Sequence, residues 1–260
     1  MTLIKKYGEQ ICQLELNRPD KRNALNKTMI KELISFLEDT AESDKFRVLI
    51  LSGVEGFFSA GADLQWMQEG ITQSYQENID DANLFNQLYH TLNNFPKPVI
   101  AKVDKGAFGG AIGLVACADI AITSPDATFA FSEVTLGLVP ATIAPYIVKK
   151  TGAAVARDLL LTARAFTGEE ALAYNLVQFL FPSNQLSVKT RELASKLAKN
   201  SPSAMSETKI LLNRLGDSIV SVNDEMKEHC AGIIAKARSS HNGQEGVKAF
   251  FEKRKPNWND

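Results

Sequence analysis

Two glycine-rich stretches offer main-chain groups that could do chemistry: Gly56-Phe57-Phe58-Ser59-Ala60-Gly61-Ala62-Asp63-Leu64 and Gly106-Ala107-Phe108-Gly109-Gly110. Small residues let a ligand approach the backbone closely, and an N–H at a helix start aims its partial positive charge outward. The first stretch follows a strand-like run, and the second leads into the apolar segment Ala111 to Ala118. Two such donors converging on one carbonyl oxygen make an oxyanion hole. Tight turns needed for packing are the alternative. The glycines lack the G-x-G-x-x-G order of a dinucleotide site, no Gly-Lys-Ser/Thr follows as in a phosphate loop, and no G-x-S-x-G elbow supplies a serine nucleophile.

The other reactive side chains are scattered. Cys12, Cys117 and Cys230 have no C-x-x-C spacing and are expected to be small buried hydrophobes. His90, His229 and His241 form no pair on one helical face, so no metal site is expected.

Alternating strands and helices should position the two stretches. Apolar residues from Leu3 to Leu16 suggest a hairpin around Gly8-Glu9, and Met29, Ile30, Leu33, Ile34 and Leu37 recur at helical spacing behind Asn26 as N-cap. Arg47–Gly53 and Val99–Val103 read as buried strands, Gly106–Gly110 as a turn, and Ala111–Ala118 as a helix with no polar face. Asp119–Ile122 and Thr128–Phe131 are further short strands. After Pro182 the strands stop; Ser201-Pro202 opens a helix, and Val222, Met226, His229, Ile233 and Ala237 recur between Ser218 and Ser240. The expected class is α/β, with residues 1–195 as core and 196–260 as a helical region that packs on it or serves assembly.

The 260 residues suit one large domain, and 29 basic against 30 acidic residues, a net charge of −1, leave no basic face for nucleic acid. No apolar run reaches the roughly 18–20 residues that cross a bilayer, and Met1–Tyr7 lacks the apolar centre of a secretory signal. A cytoplasmic protein is expected.

The sequence is identified as resembling the enoyl-CoA hydratase/isomerase (crotonase) family along essentially its whole length. The resemblance rests on Asn17-Arg18-Pro19-Asp20-Lys21-Arg22-Asn23-Ala24-Leu25, Phe58–Leu64, Phe108-Gly109-Gly110 running to Cys117-Ala118-Asp119-Ile120-Ala121, Phe131-Ser132-Glu133-Val134 with Leu136-Gly137-Leu138-Val139-Pro140, and Phe250-Phe251-Glu252-Lys253-Arg254. It implies a spiral of ββα units with a C-terminal helical region that assembles trimers, commonly paired into hexamers. It also implies an acyl-CoA substrate with no metal or redox cofactor, the coenzyme A being part of the substrate. By motif, the N–H groups of Ala62 and Gly110 would hold the thioester oxygen, and Glu133 would be the catalytic carboxylate. Coenzyme A contacts would come from Arg22, Ala60, Ala62, Asp63, Leu64, Phe250 beside the adenine, and Lys253. Hydratases of the family typically carry two glutamates, and the first falls here on Gly113, in a pocket around Ile112 and Leu114 not built to solvate a second charge.

Asp63 and Asp119 are expected to fix turns rather than act as acids. The apolar flanks Phe129, Phe131, Val134 and Leu136 point to partial burial of Glu133, which raises a carboxyl pKa. The run Ser132–Tyr146 is similar to the branch containing bacterial methylglutaconyl-CoA hydratases, which implies hydration of a branched 2-enoyl-CoA in leucine or isoprenoid breakdown. A Δ3,Δ2-enoyl-CoA isomerase and a non-catalytic CoA-binding subunit are the alternatives. Trp66, Met67, Phe85 and Leu88 are candidates for the acyl pocket or for the core, and Lys149 and Lys150 for a distal substrate carboxylate or a solvated helix face.

Overall fold

A computed structural model describes residues 2–70, 72–216, 232 and 240–257 of the chain. Strands β1 (Leu3–Gly8) and β2 (Ile11–Leu16) form the expected antiparallel hairpin. Its turn is Glu9-Gln10, one residue later than the glycine suggests, with φ of 51° and 64°. Positive φ at both central residues matches the twist of a two-residue hairpin.

Helix α1 (Lys27–Thr40) starts where the Asn26 side chain accepts from the Met29 N–H, and it buries Met29, Ile30, Leu33, Ile34, Phe36 and Leu37. Strand β3 (Val48–Gly53) is buried along its whole length because helices cover both its faces. Leu49 and Leu51 join the core shared with α1, whereas Val48 and Ile50 join a second cluster with Leu186 and Ala194. Helix α2 (Leu64–Glu69) and α3 (Tyr75–Asn93) follow; a Ser74–Glu77 capping box opens α3, which packs on α1.

Strand β4 (Val99–Val103) lies where the sequence puts it, but Gly106–Gly110 is only in part a turn. Gly106–Phe108 is strand β5, paired with β7 (Thr128–Ala130). Glycine permits that pairing: a Cβ at Gly106 would lie 2.5 Å from the Thr128 carbonyl oxygen. The turn proper is Gly109, at φ 48°, from which the buried helix α4 (Gly110–Cys117) begins.

Strands β6 (Ile120–Thr123), β8 (Phe166–Thr167) and β9 (Phe179–Leu180) complete two sheets. One has the order β1-β2-β3-β4-β6-β9, parallel from β2 onward, and the other β5-β7-β8. Helices α5 (Ala144–Thr151), α6 (Ala153–Thr162) and α7 (Gly168–Ala173) precede β9.

Helix α8 (Ser183–Leu197) packs on β3, β4 and β6, so a division at residue 195 falls inside an element of the core. Helix α9 starts at Pro202 as expected and runs to Gly216, and the helix His241–Phe251 packs on it. Val222, Met226, His229, Ile233 and Ala237 lie outside the described residues, as does Cys230, while Cys12 and Cys117 are buried. No helix among the described residues is long and apolar enough to cross a membrane.

Candidate active site

The Ala60–Asp63 turn is fixed by bonds on either side of Ala62. Ala60 N–H donates to Arg22 O at 2.9 Å, Leu25 N–H to Gly61 O at 2.7 Å, and Asp63 N–H to Leu25 O at 2.9 Å. Gly61 is obligatory: its φ is +88°, and a Cβ there would lie 2.6 Å from the Phe108 carbonyl oxygen. That close approach seats the turn against Phe108-Gly109-Gly110. Gly109 in turn faces Glu133, since a Cβ at Gly109 would lie 3.2 Å from Glu133 Oε1. The fold thus gathers Ala62, Gly110 and Glu133 from three separate segments. Among the described residues neither the Ala62 nor the Gly110 N–H has a hydrogen-bond acceptor, and both residues are half-buried, so both donors can serve a ligand. Gly110 also begins α4, where the aligned peptide dipoles favour negative charge.

Glu133 opens a short 3-10 turn, Glu133–Leu136, that ends at Gly137 with φ 71°. Its Oε2 is buried with no hydrogen-bond partner among the described residues. Burial pushes its carboxyl pKa up, against a smaller opposing effect of its own backbone N–H. Of the expected flanks, Phe129 and Phe131 are buried, whereas Val134 and Leu136 are exposed. An uncompensated carboxylate beside unused N–H donors is equipped to move protons on a substrate whose oxygen those donors hold.

Position 113 is closed. A Cβ on Gly113 would lie 2.6 Å from Ile143 Cγ2 and 2.7 and 2.8 Å from Tyr89 Cε1 and Cζ. Tyr89 and Ile143 therefore exclude a second carboxylate, rather than the surroundings of Ile112 and Leu114. The Tyr89 hydroxyl donates to Gly110 O at 2.8 Å. Burial, followed by the nearby Cys117 and Glu133, raises the phenol pKa well above its usual value, so Tyr89 is a neutral donor. Tyr89 belongs to no recognisable motif, and Ile143, within the Ser132–Tyr146 run, carried no assigned role; the available signal was Tyr89 four residues after Phe85 on one helix face.

Tyr89 belongs to an aromatic ladder, with ring centroids 5.2 Å apart for Trp66–Phe85, 5.9 Å for Phe85–Tyr89 and 5.9 Å for Tyr89–Tyr146. Trp66 Nε1 donates to Asp81 at 2.6 Å, and Lys27 pairs with Asp81 at 2.8 Å, which ties α2 to α3 and α1. Phe85 borders the site, since a Cβ on Gly110 would lie 3.4 Å from its ring, whereas Trp66 and Leu88 belong to the buried core and Met67 is half-buried.

The two aspartates fix structure. Asp63 caps α2 by accepting from Gln65 and Trp66 N–H, and pairs with Arg18 at 2.7 Å. Burial opposes its charge, but the bonds from Arg18 and the cap together hold its carboxyl below the usual value. Asp119 accepts from the Val99 N–H at 2.7 Å and pairs with Lys209 at 2.7 Å. Lys150 binds Ala118 O and Lys149 binds Asn213 O, at the far end of α4, about 12 Å from Gly110 by helix rise.

Among the expected coenzyme A contacts, Arg22 is exposed at φ 47°, beside the turn that carries half-buried Ala60 and Ala62, and Leu64 is 79% exposed. The Asp63 carboxylate is occupied by Arg18 and the helix cap. Lys253 is exposed past the helix His241–Phe251, and no hydrogen bond or ion pair joins it to the turn among the described residues. The Phe250 side chain lies outside the described part.

Comparison with known proteins supplies the context for this geometry. Residues 6–260 match the enoyl-CoA hydratase/isomerase family. The chain is 30% identical to 2,3-dehydroadipyl-CoA hydratase of Escherichia coli, over 98% of each protein. It is also 30% identical to the human mitochondrial Δ(3,5)-Δ(2,4)-dienoyl-CoA isomerase, over 80% of this chain and 67% of that protein. The crystal structure of an enoyl-CoA hydratase from Shewanella pealeana superposes with a TM-score of 0.95 at 38% identity, covering 99% of this chain and 96% of that one. Sequence, spiral of sheets and full-length superposition agree: the chain belongs to the enoyl-CoA hydratase/isomerase, or crotonase, family.

Proposed function

We propose that the protein hydrates a branched 2-enoyl-CoA of the 3-methylglutaconyl type, with Glu133 as its single catalytic carboxylate. The observation that carries this is the buried, unpartnered Glu133 Oε2 in a site where Ala62 and Gly110 keep free N–H groups. In the reaction, Glu133 takes a proton from water as the water oxygen bonds to C3. The C2–C3 π electrons move toward the thioester, and Ala62 and Gly110 hold the resulting enolate oxygen. Glu133 then returns a proton to C2. One carboxylate suffices in sequence, because the first step leaves it protonated beside the carbon that needs the proton.

Arg22 and Lys253 would hold the phosphates, Phe250 would lie beside the adenine, and the main chain from Ala60 to Leu64 would line the pantetheine arm. No metal or redox cofactor enters these steps. Lys149 and Lys150 are engaged at the other end of α4, so a distal carboxylate on the substrate would need another cation. Assembly as a homotrimer or homohexamer and a cytoplasmic location complete the proposal.

Isomerisation of a 3-enoyl-CoA is the second reading. It is favoured by the closure of position 113, since moving a proton between two carbons needs one carboxylate and no anchored water. The protein should be incubated with 3-methylglutaconyl-CoA, a straight-chain 2-enoyl-CoA and a 3-enoyl-CoA. Fastest hydration of the first is the expected result. Turnover of the 3-enoyl-CoA alone would make the protein an isomerase, and thioester binding without turnover of any would make it a CoA-binding subunit.

A further inference from the structure

Tyr89 is a polar side chain inserted between the proposed oxyanion-hole residue Gly110 and the closed position 113. Its ring lies within 2.8 Å of where a Gly113 Cβ would stand, and its hydroxyl donates to Gly110 O at 2.8 Å. A Cβ on Gly110 would itself lie 2.9 Å from the Tyr89 oxygen. The Gly109-Gly110 pair lacks Cβ atoms, and no side chain caps the start of α4, so its orientation depends on the hydrogen bonds it makes. Three bonds restrain it, one of them from Ile112 N–H to Gly109 O at 2.9 Å. Gly109 N–H donates to Ala130 O at 2.9 Å on one side, and Gly110 O receives the Tyr89 hydroxyl on the other. The donor between these anchors is the Gly110 N–H.

We propose that Tyr89 is a positioning residue for the oxyanion hole: by holding Gly110 O while its ring fills the space at Gly113, it aims the Gly110 N–H at the thioester oxygen. This rests on Ala62 and Gly110 being the oxyanion hole. Bonds at Gly109 N–H and Gly109 O hold the peptide before Gly110 Cα, Tyr89 adds a side-chain restraint on the peptide after it, and small misplacements of a catalytic donor cost rate out of proportion to their size. A donor that needs no reorganisation as charge develops contributes most to the transition state, so the loss should appear in kcat rather than in KM. The ladder Trp66–Phe85–Tyr89–Tyr146 holds the ring from both sides, which keeps the hydroxyl in place.

The test is Tyr89→Phe, which keeps the ring and removes only the donor. An aromatic 2-enoyl-CoA, a 3-arylacryloyl thioester, serves as probe because its absorption band moves to longer wavelength when its carbonyl is polarised. Wild type should show the band shift, and Tyr89→Phe should bind the probe with a clearly smaller one. Its kcat on the best substrate should fall roughly 10- to 100-fold with KM nearly unchanged. Glu133→Gln should lose turnover yet keep the full band shift, and Ile143→Val, which loosens the same wall without touching the bond, should keep it too. A full band shift and unchanged kcat in Tyr89→Phe would overturn the proposal. So would a variant that fails to fold, or one that loses kcat only in proportion to its lost native fraction, since Tyr89 would then act through the core alone. A wild type that binds the probe without any band shift would remove the oxyanion hole itself, and with it both readings.

Discussion

In the proposed mechanism Glu133 couples activity to stability through one carboxyl. As a general base it must be ionised, so kcat/KM should rise with pH through a limb above the ordinary glutamate range of about 4.3, because burial raises its pKa. Glu133→Gln should abolish that limb and lower kcat by about 10²–10⁴-fold. The same shift predicts an effect on folding. A carboxyl with a raised folded-state pKa favours the fold while protonated, and that contribution is lost as pH rises from the unfolded pKa through the folded one. Glutamine stays neutral, so Glu133→Gln should melt higher than wild type at pH 7 and not below about pH 4, as calorimetry at both pH values would establish. Motifs singled out Glu133, Ala62 and Gly110, which the fold brings together. Tyr89 and Ile143 were not legible in the sequence, because which large side chain backs onto a small one depends on how α3 and the segment before α5 pack, and no local pattern encodes that.

Elements with local signals were legible: Asn26 caps α1, Ser201-Pro202 starts α9, and β3 and β4 fall on β-branched runs. β5 was hidden because Gly106 makes a strand look like a turn, and its pairing with β7 is a tertiary fact. The link between α9 and the sheet was hidden for a similar reason. Asp119, just before β6, receives both the Val99 N–H at the start of β4 and Lys209 from α9. The Lys209 side chain is 10% exposed and that of Asp119 30%, so the pair is screened only in part. Lys209→Met keeps the aliphatic stem and removes the charge, and should lower unfolding free energy by about 1–3 kcal/mol, less than a fully buried pair would lose. Urea titration would measure it. The kcat per folded molecule should stay at the wild-type value, because the pair lies at the end of α4 remote from Gly110.

The whole molecule leaves large apolar side chains on its helical surface, among them Leu161 at 73%, Val188 at 59%, Leu212 at 60% and Val247 at 57% exposure. Such side chains are available for contacts between copies, as the proposed trimer or hexamer would need. Sedimentation at micromolar concentration should find one of these assemblies, and a stable monomer would contradict it. The sheet edges disfavour copies that would meet by sharing a ladder of backbone bonds. The larger sheet ends at one side in β1, whose outer half carries exposed Lys5, Lys6 and Tyr7, and at the other in β9, only two residues long. The smaller sheet ends in strands of three and two residues. Charge and brevity disfavour strand addition at these edges of the described sheets, so the proposed association would proceed through side chains that fit and stop once they are covered, rather than grow open-ended fibres.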